Sequence, residues 1–254
     1  MTASPDEISR MGAPVQQVSE KPGLEIFFAE PTTRTSLGYV FSARSLWLQT
    51  PELSRIPEYS RRDDNLFGID LVRANSSYYK ELVKFTKISK FVFPVHIAVH
   101  NTGAATADAV HAELKIAKMD GKVMVMDADK YPDVPKQEYN PLQIQIRLPV
   151  LHDVNVSSVG DSWIIEAKAD KIQAKATQWF RSPFYVGSID NREVVIDAML
   201  FADQLQNPTQ QRLLVTVESG QKDIDLNGIL ELERERFRAT PSFQRLLKEQ
   251  KTKK

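Results

Sequence analysis

Apolar and polar residues alternate in several well-separated segments of the chain. In residues 110–116 every second position is apolar, while histidine, glutamate and lysine occupy the positions between. Residues 95–99 and 142–148 show the same two-residue period. Because successive side chains of a strand point to opposite faces, each segment predicts a strand with one face on a core and the other in water. Similar patterns predict further strands at Leu24–Phe28, Val123–Met126, Trp163–Ala174, Glu193–Phe201 and Gln211–Glu218.

Turn signals separate these segments. Asn101-Thr102-Gly103, Asp120-Gly121 and Asn207-Pro208 are combinations typical of tight turns. Many strands joined by short turns favour two packed sheets over a sheet alternating with helices. The pattern therefore predicts a mainly β protein, an immunoglobulin-like antiparallel β-sandwich with a short inserted helix and a C-terminal helix.

The inserted helix is predicted from a cap and a helical spacing of apolar residues. Asn75 or Ser76 can cap a segment that runs to about Lys87 and leads into a strand at Phe91. The segment Leu48–Asp64, which contains two prolines, is expected to be an irregular connection.

The C-terminal segment is set apart by its charge. Residues 232–254 carry eight basic and three acidic residues, an excess of five positive charges, and Thr240-Pro241 is typical of a helix start. We therefore divide the chain into a disordered segment 1–21, a β-sandwich domain 22–231 and a basic amphipathic helical tail 232–254.

Composition limits the function classes. The chain has 254 residues with 33 basic and 33 acidic side chains, so no overall field draws it to nucleic acid or acidic membranes. It contains no cysteine, which excludes disulfides, thiolate metal sites and cysteine nucleophiles. No apolar run is long enough to cross a bilayer, and the first 21 residues lack the pattern of a secretory signal. We expect a cytoplasmic protein.

Two groups of stretches resemble a known module. The stretches are residues 75–82 (NSSYYKEL), 93–103 (FPVHIAVHNTG), 107–110 (ADAV), 184–186 (FYV), 194–198 (VVIDA) and 213–217 (LLVTV). With these stretches the chain resembles the C-terminal immunoglobulin-like β-sandwich that follows a Schlafen AlbA-like ATP- or DNA-binding domain in many bacterial proteins.

The resemblance covers Pro22 to Leu232, and its motifs are structural. In the turn, Asn101 suits a tight connection and Gly103 is expected to supply a positive φ. The AlbA-like domain has no counterpart in this sequence, so no catalytic or nucleotide-binding residue is carried over. The resemblance implies an accessory module.

Two segments are candidates for partner binding. The tail combines an apolar stripe with positive charge, which suits a protein groove or, alternatively, phosphates; a solvated helix is the simpler interpretation. Aromatic residues beside an arginine could anchor a partner, although such residues pack more often in a core. The candidate residues are Arg234, Arg238, Phe243, Arg245, Leu246, Leu247 and Lys248 in the tail, and Trp179, Arg181 and Tyr185 in the aromatic cluster.

No motif predicts catalysis, a cofactor or a metal. The chain lacks the glycine-rich and Gly-x-Ser-x-Gly patterns that phosphate loops and serine nucleophiles use. His96 and His100 would share one strand face with His111 opposite, which we interpret as exposed polar positions rather than a metal site. A deep pocket with converging Asp, His or Arg side chains would instead indicate an enzyme.

The sequence thus favours a non-enzymatic accessory module that binds a protein partner in a bacterial multi-component system. The alternative is a nucleic-acid-associated protein that uses the basic C-terminal tail.

Overall fold

The structure is a computed structural model that describes residues 21–60, 73–139 and 152–239. The predicted strand at 142–148 and the candidate residues Phe243, Arg245, Leu246, Leu247 and Lys248 lie outside these ranges. No helix among the described residues is long and apolar enough to span a membrane.

Strands make up most of the described chain. In order they are β1 (Leu24–Glu30), β2 (Thr35–Gly38), β3 (Val40–Gln49), β4 (Arg73–Ala74), β5 (Phe93–Val95), β6 (Ile97–Asn101), β7 (Ala107–Ala117), β8 (Val123–Asp127), β9 (Glu138–Tyr139), β10 (Val154–Val159), β11 (Ser162–Ile172), β12 (Thr177–Trp179), β13 (Phe184–Ser188), β14 (Arg192–Phe201) and β15 (Thr209–Asp223). Helix α1 (Tyr78–Phe91) lies between β4 and β5, and α2 (Leu226–Ala239) follows β15.

The first layer is a six-stranded sheet with the order β10-β11-β7-β14-β15-β3. Its pairs are antiparallel. Leu114 of β7, for example, lies opposite Ile165 of β11 on one side and opposite Ala198 of β14 on the other. β3 is the exception, because it pairs in parallel with β15, Val40 lying opposite Leu214. This parallel pair is an addition to the predicted antiparallel arrangement.

The second layer contains the orders β12-β6-β1-β2 and β5-β13-β8. Only His96 separates β5 from β6, so the two groups of strands continue into each other. Inward-facing residues of both layers, such as Ile26, Val186 and Leu114, belong to one buried cluster. The mainly β sandwich is therefore confirmed, since alternation had placed the apolar face of each strand correctly.

A second, smaller core holds the helices. Apolar residues from the end of β3, from both helices and from Ile56 and Ile224 pack together: Leu48, Tyr78, Leu82, Val83 and Ile229. α2 begins at Leu226, so the predicted boundary between domain and tail at residue 232 falls within a helix whose first turns are packed.

Several boundaries differ from those predicted. α1 continues to Phe91 instead of ending near Lys87, because Phe91 is itself buried and packs its ring on Trp47. The connection predicted from Leu48 begins with the last residues of β3 and includes a short 3-10 turn at Leu53–Arg55. The whole of β3 was missed.

The Asn101-Thr102-Gly103 turn is built differently from the prediction. Gly103 does not have a positive φ; instead a Cβ there would lie 2.4 Å from Lys21 O and 2.5 Å from Gly23 N. Glycine is needed because the start of β1 passes directly over it. Asn101 is fully buried and ties the turn to this crossing strand.

Candidate binding site at an open edge of the sandwich

The two central strands of the second layer separate at one end. β1 and β6 pair as far as Phe28 opposite Ile97, and Ala29 N–H donates to His96 O at 3.0 Å. Beyond this point β1 pairs with β2 while the other strand continues through Pro94, which has no N–H to donate. The separation leaves an opening at the edge of the sandwich.

A cavity of about 370 Å³ fills this opening. We call it the seam and define it by its lining: residues 28–31, Leu37, Phe41 and residues 93–96. Its floor is part of the main core, since Phe28 and Val95 are buried. The Phe41 ring lies 5.8 Å from the Phe28 ring and 6.0 Å from the Phe93 ring, so an aromatic row forms one wall. The seam therefore extends down to side chains of the main core.

The seam has two titratable side chains among its lining residues, His96 and Glu30. Burial lowers the pKa of His96 from its ordinary value, against the opposing charges of Glu30 and Asp153. Its Nδ1 is buried without a hydrogen-bond partner, which favours the tautomer protonated on Nε2. Glu30 Oε1 accepts a hydrogen bond from Thr32 N–H. The wall thus presents a neutral imidazole and one carboxylate.

The edge of β3 borders the seam. Leu214 N–H donates to Tyr39 O and Ile224 N–H donates to Gln49 O. The odd-numbered residues of β3 therefore direct their backbone N–H and C=O groups toward β15. In a parallel ladder the intervening residues direct their backbone groups to the other side. Val40, Ser42 and Arg44 therefore turn their N–H and C=O groups away from β15.

Three apolar side chains stand exposed where β2 passes into β3. Leu37, Tyr39 and Val40 have exposed fractions of 43%, 44% and 59%. The Tyr39 hydroxyl bonds to a carboxylate oxygen of Glu25, which fixes the ring. Isolated exposed apolar residues are common, but these three are close together in sequence beside an apolar cavity.

A second groove continues the seam along β3. It has a volume of about 580 Å³ and lies between residues 44–46 of β3, residues 218–220 of β15 and the segment from Ser89 to Pro94. Phe93 and Pro94 line both spaces. The two spaces therefore adjoin at Phe93 and Pro94, and the second borders both β3 and β15.

The structure separates the predicted aromatic cluster. Trp179 is half-buried and packs edge-on against Phe27 at 5.9 Å. Tyr185 stacks on Tyr131 at 4.2 Å with an angle of 13° between the rings. Phe180 and Phe184, which lie between them in sequence, are buried in the main core. Trp179 and Tyr185 thus have separate ring partners.

Arg181 and Arg234 are exposed, whereas the side chain of Arg238 lies outside the described part of the chain. Arg181 uses its backbone N–H to bond Asp153, and Arg234 lies on the exposed side of α2. The neighbouring Arg236 pairs with Glu233 through two hydrogen bonds and covers the Phe85 ring of α1 at 4.9 Å. Part of the basic charge assigned to a tail therefore holds α2 against α1.

One group of side chains resembles a hydrolase triad. His152 Nε2 lies 2.6 Å from Asp129 Oδ1, and His152 Nδ1 lies 3.1 Å from Ser182 Oγ. Ser182 is only 7% exposed, and its backbone N–H, a group that could help stabilise an oxyanion, already donates to Asp153. Because Ser182 is buried and bonded to Asp153, we interpret the group as a set of hydrogen bonds that holds together the loops carrying these residues.

Asp153 anchors the same loops through its carboxylate. Its Oδ2 and Oδ1 accept hydrogen bonds from Arg181 N–H at 2.7 Å and Ser182 N–H at 2.8 Å. Burial alone would raise the pKa of Asp153, but these hydrogen bonds outweigh burial and lower it below 3.8.

We expect Asp153→Asn to remove part of the acid sensitivity of the fold. A carboxyl whose pKa is lowered on folding stabilises the native state above its unfolded pKa and loses that contribution as pH falls through the folded value. Urea unfolding of the wild-type chain and the variant at pH 7 and near pH 3 measures this. At pH 7 the free energy of unfolding of the wild-type chain should exceed that of the variant by about 1 to 2 kcal/mol, and this difference should be smaller near pH 3. A difference that grows as the pH falls would contradict the prediction.

The histidines do not form one site. His100 Nδ1 lies 2.9 Å from Thr177 Oγ1 in the second layer, whereas His111 stacks on Phe201 and lies 3.8 Å from Glu166 in the first. Within residues 21–60, 73–139 and 152–239, no group of three or more histidine, aspartate or glutamate side chains has an arrangement that could hold a metal ion.

Comparison with known proteins gives no family. No family model and no curated protein matches the chain. Among solved structures it is similar to a family 123 glycoside hydrolase from Clostridium perfringens, with 6% identity over 78% of this chain and 27% of that chain and a TM-score of 0.29. The C-terminal domain of the Streptococcus agalactiae AgI/II polypeptide BspA is similar at 13% identity, over 48% of this chain and 42% of that chain, with a TM-score of 0.23.

A third similar structure is the CooA pilin subunit from enterotoxigenic Escherichia coli. The identity is 8%, the match covers 79% of this chain and 99% of that chain, and the TM-score is 0.27. This chain spans less than half the length of the hydrolase and BspA chains that it matches. Likenesses at these scores assign neither an activity nor a partner.

Proposed function

We propose that the chain is a non-enzymatic accessory module that binds a protein partner at the seam. The observation that carries this proposal is the opening itself, a cavity that reaches the core beside a strand edge that has no pairing strand among the described residues. Exposed Leu37 lines it, and exposed Tyr39 and Val40 follow closely in sequence. A partner that covered them would remove apolar surface from water, the main source of protein association energy.

The described chemistry supports binding over catalysis. Ser182 of the triad-like group is buried, and the seam holds one imidazole and one carboxylate in an apolar wall. Apolar walls with few polar groups are typical of recognition sites.

The sequence-based binding residues remain part of the proposal as secondary contacts. Trp179, Arg181 and Tyr185 lie on the second layer, and Arg234 lies on α2. Nucleic-acid binding by the tail rests on its basic residues alone, and no basic side chain lines the seam within the described residues. The cytoplasmic location and the bacterial multi-component setting are expectations from the cysteine-free sequence and the resemblance.

A photo-crosslinking experiment tests the proposed site. With benzoylphenylalanine in place of Val40, the full chain in its native host should give a discrete protein adduct. The matched control is Val159, another valine on an edge strand, which is 61% exposed on the far side of the first sheet. Leu37→Asp should weaken capture about tenfold, because a carboxylate replaces apolar contact. Equal adducts at both positions, or none at residue 40, would reject the seam as the binding site.

A further inference from the structure

The backbone of β3 determines what kind of segment the seam accepts. We infer that the partner contributes an extended segment that pairs with the free edge of β3, inserts a bulky apolar side chain into the seam and places a basic side chain beside Glu30. This inference rests on the proposed function and specifies the partner's chemistry.

The first argument is the unpaired backbone. Val40, Ser42 and Arg44 direct N–H and C=O groups away from β15, and an incoming strand is a partner that can satisfy several of them in series. Edge strands in other proteins are protected by proline, charged side chains or a bulge. Residues 40–43, with the sequence VFSA, contain neither proline nor a charge, and the first charged residue of the strand is Arg44, which pairs with Glu218.

The second argument is the position of the seam relative to that edge. Phe41 of β3 and Phe93 of β5 line the seam on the same wall, with their rings in contact at 6.0 Å between centroids. Successive side chains of an added strand would alternate between solvent and this space. A cavity of about 370 Å³ with Phe28 at its floor accepts a large apolar side chain.

The third argument is charge. Glu30 is the only charged side chain among the described residues that line the seam, provided that His96 is neutral, as burial favours. A carboxylate at an apolar opening favours a cation in the partner and disfavours an acidic residue at the same position. The segment should therefore carry a lysine or arginine two residues from its apolar anchor, on the same face of the strand.

Synthetic peptides test the inference on the full chain. The probe is a seven-residue peptide of alternating threonine and valine with a central phenylalanine and a lysine two positions after it; its matched partner has glutamate in place of lysine. We expect the lysine peptide to bind about tenfold more tightly than the glutamate peptide. The variant E30Q should remove this difference.

N-methylation of the peptide tests strand pairing separately from side-chain binding. Methylating the amides that face β3 should weaken binding about tenfold or more, whereas methylating the alternate amides should leave it unchanged. On the protein side, Ser42→Pro removes an N–H on the open edge, where an edge strand tolerates proline. It should abolish binding, while Ser42→Ala, which keeps the N–H, should not.

The outcomes separate the two proposals. If no peptide binds, or if both methylation patterns act equally, strand addition is wrong. If residue 40 still crosslinks to a protein in that case, the seam binds its partner by another mode and the proposed function stands. If the crosslink also fails, both proposals fail.

Discussion

Replacing Asn101 with alanine is expected to lower the free energy of unfolding by about 4 kcal/mol. The side chain is fully buried and uses its whole hydrogen-bonding capacity. Oδ1 accepts from Gly23 N–H at 3.2 Å and Gly103 N–H at 3.0 Å, and Nδ2 donates to Ala105 O at 2.7 Å and Ile172 O at 3.2 Å. Alanine leaves these four backbone groups without their partner, and each buried group left unsatisfied costs about 1 kcal/mol or more.

Chemical denaturation followed by circular dichroism measures this change. Asn155→Ala is the matched control, since Asn155 is exposed on β10 and should change stability by about 0.5 kcal/mol or less. If Asn101→Ala lowers the free energy of unfolding no more than Asn155→Ala does, water replaces the Asn101 amide without a cost in stability.

Gly103→Ala is expected to destabilise the fold by about 3 kcal/mol. The new Cβ would lie 2.6 Å or less from atoms of three successive residues, Lys21, Pro22 and Gly23, all of them backbone. Relief requires the start of β1 to move, and that movement would break the hydrogen bond from Thr102 N–H to Gly23 O, which measures 2.6 Å.

Gly220→Ala is the control for this second substitution. A Cβ at Gly220 would meet only the end of the Leu46 side chain, at 3.4 Å, and Gly220 does not have a positive φ. Thermal unfolding should show a clear drop in Tm for Gly103→Ala and little change for Gly220→Ala. Similar Tm values for the two variants would mean that β1 is not held against the turn.

The sandwich could be predicted because most of its strands bury one face along their whole length. Residues 110–116 keep a two-residue period since every inward side chain meets the same core. β3 breaks this rule: Phe41 faces the main core, whereas Leu48, of opposite parity, packs in the second core with α1. A strand whose two ends pack in different cores has no constant two-residue period of apolar positions, so the sequence pattern did not predict β3.

The candidate site was missed for a related reason. The seam arises where β1 and β5 separate, and its lining comes from segments far apart in sequence. The local signals were weak: Pro94 within a strand, and the apolar residues Leu37, Tyr39 and Val40 around a glycine. The aromatic cluster, by contrast, was predicted from residues that are close in sequence. In the fold Phe180 and Phe184 point into the main core, while Trp179 and Tyr185 pack on other rings.

The parallel pairing of β3 with β15 sets the order in which the first sheet can be completed. The paired residues are 174 positions apart, Val40 opposite Leu214, so the contact carries a large loop-closure entropy and should form late. During synthesis β3 leaves the ribosome long before residues 209–223 exist, so its edge toward β15 is then unpaired. A chain stopped before Thr209 would keep that strand unpaired, and such truncated chains should aggregate through it.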